Sequence, residues 1–201
     1  LEGFVFAMLE DVVAAVSRTR GLAGVAIVTL DPRATCLARR YGARVLTAGA
    51  RDGHTGAVAA AAHILTAEGI GGMMQLPGDI PLVSPDELST VLAMSRRSPS
   101  FTIVPSHDDF GSNTVVVSPP MAVPLTFGDD SFYPHLRAAQ RCGISPLTVR
   151  MPGISRDIDN PQDLCDFARI GSSTRTQAYL DQHDSANWVG ATSAICGQGE
   201  T

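Results

Sequence analysis

Lysine is absent from this chain of 201 residues, and its 15 arginines are outnumbered by 20 acidic side chains, for a net charge of −5. That balance excludes a broad nucleic-acid footprint, because neutralising a phosphate backbone takes clustered cations. A protein of this charge that handles phosphates needs metal ions to supply much of the positive charge. Apolar runs of bilayer length are also missing, and Leu1-Glu2-Gly3-Phe4 carries neither the basic region nor the cleavage site of a signal peptide. The expectation is a cytoplasmic protein with no membrane and no nucleic-acid partner. The cysteines, Cys36, Cys142, Cys165 and Cys196, form no C-x-x-C pair and have no histidine at zinc spacing, so they read as reduced bystanders.

What is present suits one α/β domain: 44% of residues are hydrophobic and 17% charged, over a length that leaves little room for a second core. Val5, Met8, Leu9, Val12 and Val16 recur at helical spacing. A strand-length run, Val25 to Leu30, follows and ends at Asp31-Pro32. The pattern continues with a helix over 34–41, a strand over 44–47, an alanine-rich helix over 56–68 and a buried strand over 72–77. Ser84-Pro85-Asp86-Glu87 is a helix start, with Ser84 as cap, Pro85 at the first position and Glu87 three after the cap. Strands over 101–105 and 114–117, a helix over 131–141, a strand over 147–150 and a helix capped at Asn160-Pro161 complete the order. Apolar strands alternating with helices predict a doubly wound, mostly parallel sheet in a Rossmann-like three-layer αβα sandwich. Residues 171–201 turn polar, with a helical stretch around 176–182, and read as a peripheral or disordered tail to a domain over 1–170.

In such sheets ligands bind beyond the carboxyl ends of strands, so polar residues directly after apolar runs carry the interest. Leu76-Pro77-Gly78-Asp79-Ile80-Pro81 delivers one carboxylate there; the bland alternative is an ordinary turn aspartate. Arg156-Asp157-Ile158-Asp159-Asn160-Pro161 sets two carboxylates at i, i+2, on one face of extended backbone, a pair suited to magnesium with substrate phosphates. Its alternative is that Asp159 or Asn160 caps the next helix. Phe127-Gly128-Asp129-Asp130-Ser131-Phe132 offers backbone N–H groups and a hydroxyl to an anion at a helix start, or is a plain N-cap. The polar loop Asp108 to Thr114 precedes a strand and equally suits a hairpin-like turn. His107 and His135 have no partner at metal spacing and read as surface or capping residues.

Taken in order, Leu-Pro-Gly-Asp-Ile-Pro, Gly-Ser-Asn-Thr before a strand, Phe-Gly-Asp-Asp-Ser-Phe-x-x-His and Asp-Ile-Asp-Asn-Pro-x-Asp-Leu resemble the guanylyltransferases of coenzyme F-420 (deazaflavin) biosynthesis. That family is similar to the molybdenum-cofactor guanylyltransferase and shares the nucleotide-diphospho-sugar transferase type of fold. The resemblance, from about Leu1 to Ile170, implies transfer of GMP from GTP to phosphoenolpyruvate or 2-phospho-L-lactate with loss of pyrophosphate. It implies Mg2+ held by Asp79, Asp157 and Asp159, and a three-carbon acid held by Thr114, Gly128 and Ser131. These small-molecule substrates are the partners it names, with a homodimer left open.

Two departures from the family pattern accompany it. The family's first strand, with a triphosphate-gripping loop of Lys and Arg, precedes the helix where this chain begins. The expectation is an N-terminally incomplete domain, lacking its first strand, with two unpaired sheet edges, so that this chain by itself is marginally stable or self-associating and turns over GTP poorly. At Gly53-His54-Thr55-Gly56-Ala57, Gly56 stands where relatives resemble an Asn that helps read the base. A cytidylyl- or sugar-nucleotide transferase of the same fold, or a catalytically silent binding module, is the competing reading.

Overall fold

The computed structural model describes residues 2–95 and 98–183. Its elements follow the order α1 (Glu2–Ser17), β1 (Ala26–Val28), α2 (Pro32–Arg40), β2 (Arg44–Leu46), α3 (Gly53–Ala67), β3 (Met73–Gln75), α4 (Pro85–Met94), β4 (Ser100–Pro105), β5 (Ser112–Ser118), α5 (Phe132–Arg141), β6 (Leu147–Thr148), α6 (Pro161–Ile170) and α7 (Arg175–His183). Asp31, expected only to end a strand, accepts from the N–H groups of Arg33 and Ala34, so α2 starts at Pro32 rather than 34. The other helix-start signals work as the sequence suggests. Ser84 and Glu87 form a reciprocal capping box at α4, and Asn160 and Asp163 form another at α6.

A four-stranded sheet in the order β3-β5-β4-β6 forms the centre, and β1 and β2 pair separately in parallel. Strand β5 is antiparallel to both β3 and β4, whereas β4 and β6 are parallel. Hence β3, β4 and β6 share one direction and β5 alone is reversed within that sheet. Only residues 106–111 separate β4 from β5, too short for the crossover that a parallel neighbour needs, so the chain turns back as a hairpin. The hydrogen-bonded ladders end at β1 on one side and β3 on the other, and both strands contact α3.

Alternation along the central strands divides the core between two faces. Met73, Phe101, Ile103, Val115 and Val117 pack with Val58 and Ala62 of α3 and Ala138 and Ala139 of α5. Val104 and Val116 face the other way, onto Val12, Ala15 and Val16 of α1 and Leu88 and Val91 of α4. The sheet is therefore covered on both faces, which explains why its strands read as continuous apolar runs.

The chain beyond residue 170 is tied to this body through α7. Asp11, buried on α1, accepts from the Arg175 and Thr176 backbone N–H groups, each at 2.9 Å, and from the Thr176 hydroxyl at 2.7 Å. The Arg175 guanidinium adds an ion pair to Glu10 at 3.0 Å. The stretch expected to be helical is thus a docked helix capped from a distance, while residues 184–201, with Cys196, lie outside the described residues.

Candidate active site

Strand direction places Asp79, which follows β3, and Asp157 and Asp159, which follow β6, beyond the carboxyl ends of parallel strands. Three hydrogen bonds then join their segments. The Ile158 N–H donates to the Asp79 carbonyl at 3.1 Å. The Gly153 N–H donates to Glu87 Oε1 at 2.7 Å, so the residue that completes the α4 capping box also holds the 150s loop. Asn113 Nδ2, at the start of β5, donates to the Ile154 carbonyl at 3.0 Å. Gly153 has to be glycine here, because a Cβ would run into the Leu82 carbonyl and the Glu87 carboxylate.

The consequence is electrostatic. Burial, then the charge of Asp159 and, more weakly, Asp157, push the Asp79 carboxyl up to about 6 from 3.8, against the pull of its own backbone hydrogen bond. Partial burial and the neighbouring Asp157, with smaller contributions from Asp163 and Asp129, raise Asp159 as well. The three residues read from the sequence as one acidic set therefore do feel one another across the rim. Asn160 takes the capping role, accepting from Gln162 and Asp163, and leaves Asp159 outside the helix start. Oδ1 of Asp79 and Oδ1 of Asp157 are both buried without a hydrogen-bond partner. They are the donors available to a hard divalent cation. Among the described residues no group of three or more His, Cys, Asp or Glu side chains closes around a common metal position.

Thr114 is fully buried on β5, next to Val115, which pairs with Gln75 at the end of β3; its hydroxyl also lacks a partner. Gly128 is exposed, with open space where a Cβ would lie. Ser131 is buried and its side chain makes no capping hydrogen bond to α5. The Phe132 N–H donates to the Phe110 carbonyl at 2.8 Å, which fixes the 128–132 turn beside the β4–β5 hairpin. Asp129 contributes to the field at Asp159, so this turn reaches the same rim as the carboxylates.

The histidines are placed differently from the sequence reading. His107 Nδ1 lies 4.0 Å from Asp157 Oδ1 at the site itself. His135 is 1% exposed, neither surface nor cap. Its Nε2 accepts from the Thr126 N–H at 3.0 Å and its Nδ1 meets the Ser112 hydroxyl at 2.9 Å. Burial, aided by His54, drives its pKa down to about 4, so it stays neutral. Its partners lie 9 and 23 residues away in sequence, on separate elements, and no local pattern signals them. Gly56 has a packing reason: a Cβ there would collide with the Asp52 side chain, leaving no room for an asparagine.

Two recesses bear on the site. One of about 40 Å³ sits beside Asp157 and is lined by His107, Arg156 and Asp163. Another of about 140 Å³ lies at the opposite end of β4, between Ser100, Thr102 and Ile144, with no titratable side chain in its lining. Of the candidate residues, only Asp157 lines the first recess, and none lines the second.

Comparison with known proteins agrees with this architecture. Residues 2–186 match the family described as guanylyl transferase CofC like. The chain is 34% identical over 178 residues to the phosphoenolpyruvate guanylyltransferase of Rubrobacter xylanophilus, spanning 87% of this chain and 83% of that one. It is 32% identical over 187 residues to the protein of that name from Mycobacterium leprae, spanning 89% and 83%. Among solved structures, 4-diphosphocytidyl-2C-methyl-D-erythritol synthase superposes with a TM-score of 0.63 at 14% identity, covering 80% of this chain and 88% of that one. A cytidylyltransferase from Leptospira borgpetersenii gives 0.58 at 12%, covering 96% and 87%. These two show the shared fold.

Proposed function

The chain belongs to the CofC-like guanylyl transferase family and is a nucleotidyltransferase, and from that premise we propose that it transfers GMP from GTP to the phosphate of phosphoenolpyruvate. 2-Phospho-L-lactate is the alternative acid, and the product is a precursor of deazaflavin coenzyme F-420. The observation that carries this reading is the pair of buried, unpartnered oxygens on Asp79 and Asp157, in one electrostatic neighbourhood beside the unpartnered hydroxyl of Thr114.

An oxygen of the acid's phosphate attacks the α-phosphorus of GTP in line. One P–O bond forms there, the α–β bond breaks, and pyrophosphate leaves. The nucleophile is already ionised, so positioning and charge neutralisation matter more than a general base. Mg2+, when bound, neutralises the triphosphate and the charge that develops on the leaving group. Asp79 and Asp157 would hold it through their free oxygens, with Asp159 beside them. The Thr114 hydroxyl, the Gly128 N–H and the Ser131 hydroxyl would receive the acid. Neutral His135 holds the Thr126 N–H and keeps the loop leading to Gly128 in place.

The test is pyrophosphate release with GTP and Mg2+ across phosphoenolpyruvate, 2-phospho-L-lactate and 3-phosphoglycerate, on wild type and on Asp79→Ala and Asp157→Ala. Turnover with the first or second acid, lost at least about 100-fold in each variant with the fold retained, is the expected result. Turnover with CTP in place of GTP would move the protein to the cytidylyltransferases. Near-normal rates in either variant would remove the carboxylates from the site.

A further inference from the structure

The segment from Pro119 to Asp130 contains no helix or strand, yet it leads to the turn through which the acid would be bound. Its path therefore depends on side chains from elsewhere, and these converge on Phe127. Thr55, on the first turn of α3, accepts from the Phe127 N–H at 2.9 Å and donates to the Phe127 carbonyl at 3.4 Å. The neighbouring His54 lays its ring on that of Phe127, with centroids 4.3 Å apart and planes 7° from parallel. His135 meets the same ring edge-on at 5.0 Å.

His54 has a second attachment. Its Nε2 is hydrogen-bonded to Gln75 Nε2 at 2.8 Å. Gln75 ends β3, and the chain runs directly from it through Leu76-Pro77-Gly78 to Asp79. One exposed side chain thus bridges the arm that carries Asp79 and the arm that carries Gly128 and Ser131. We propose, resting on the function above, that His54 is a positioning residue that sets the acid-binding turn against the carboxylate rim through its stack on Phe127. Nothing in the sequence singles out His54, whose partners are 21 and 73 positions distant.

The proposal separates the two substrates. Loss of the stack lets Phe127 and Gly128 move, so the grip on the acid should weaken more than the grip on GTP. His54→Ala should raise KM for phosphoenolpyruvate about tenfold with kcat and the KM for GTP within about twofold. His54→Phe, which keeps a ring over Phe127 and lacks the bond to Gln75, should restore most of the loss. Backbone amide exchange at Phe127, whose N–H donates to the Thr55 hydroxyl, measured by NMR on the chain without substrates, should speed up about tenfold in His54→Ala and return toward wild type in His54→Phe.

Unchanged exchange in His54→Ala, or an equal rise in KM for both substrates, overturns the proposal. Exchange does not depend on turnover. If wild type handles none of the acids offered, the functional reading falls, while faster exchange at Phe127 in His54→Ala still supports the clamp and unchanged exchange still refutes it. Because His54 is exposed, its removal opens no core cavity and the variant should fold.

Discussion

Acidification tests the buried histidine most directly. The unfolded chain takes up a proton on residue 135 near 6.5, whereas the folded protein resists it until about 4. Between those values the unfolded state binds more protons, so the stability due to neutral His135 is intact above about pH 7 and drains away as pH falls toward 4. Full protonation of both states would cost about 3 kcal/mol, and the step from about pH 7 to about pH 5 alone removes about 2 kcal/mol. Asp79 works in the other direction. Its folded value of about 6 exceeds the ordinary 3.8, so the folded state takes its proton first and regains about 1 kcal/mol over the same step.

A wild-type pH profile therefore shows only the remainder and is a poor test. The informative quantity is the difference between wild type and His135→Gln, measured by urea unfolding in metal-free buffer at both pH values. Subtraction cancels Asp79 and every other shared group. The advantage of wild type over the variant should shrink by about 2 kcal/mol at the lower pH. Parallel profiles would show that His135 titrates normally in the fold, and the reasoning from its burial beside His54 would be wrong.

Asp11→Ala removes the acceptor of three hydrogen bonds at the start of α7 and leaves buried donors without partners; it should cost about 2–4 kcal/mol and expose the bond after Arg175 to trypsin, and resistance equal to wild type would refute the clasp. Gly56→Asn forces a Cβ into the Asp52 side chain and should destabilise the chain by about 1–3 kcal/mol in a thermal or denaturant melt without sharpening the choice of GTP over CTP. A variant as stable as wild type, with improved GTP discrimination, would show that the 49–56 turn adapts.

Much of the architecture was legible because it is written in short-range signals. Ser84 with Glu87 and Asn160 with Asp163 act over three residues, and each starts a helix where the sequence says it should; Asp31, read as the end of a strand, also caps α2. The reversal of β5 was readable in principle from the brevity of 106–111, but strand hydrophobicity alone does not encode direction, since a strand buried on both faces looks the same either way round. The electrostatic proximity of the acidic residues was legible for a different reason: Asp157 and Asp159 lie two positions apart, and Asp79 follows a strand that ends at the same rim. His54 and His135 were opaque because what they do depends on partners from other elements, brought near only when the sheet and α3, α5 are assembled.

The same distinction separates the residues that stabilise this fold from those that strain it. Thr176, Asn113 and Glu87 are polar and partly or fully buried, and each has found a hydrogen-bond partner within the chain. Asp79, Asp157 and Thr114 are also withdrawn from water, yet each keeps a polar atom without one. A buried group left in that state costs stability, and the raised pKa of Asp79 is the direct expression of that cost. Other such atoms lie elsewhere, Ser100 and Thr102 at the far end of β4 and Gln177 on α7. The acidic pair and Thr114 sit together at the carboxyl ends of β3 and β6, and on the proposed function substrate binding would supply their missing partners and offset part of that cost.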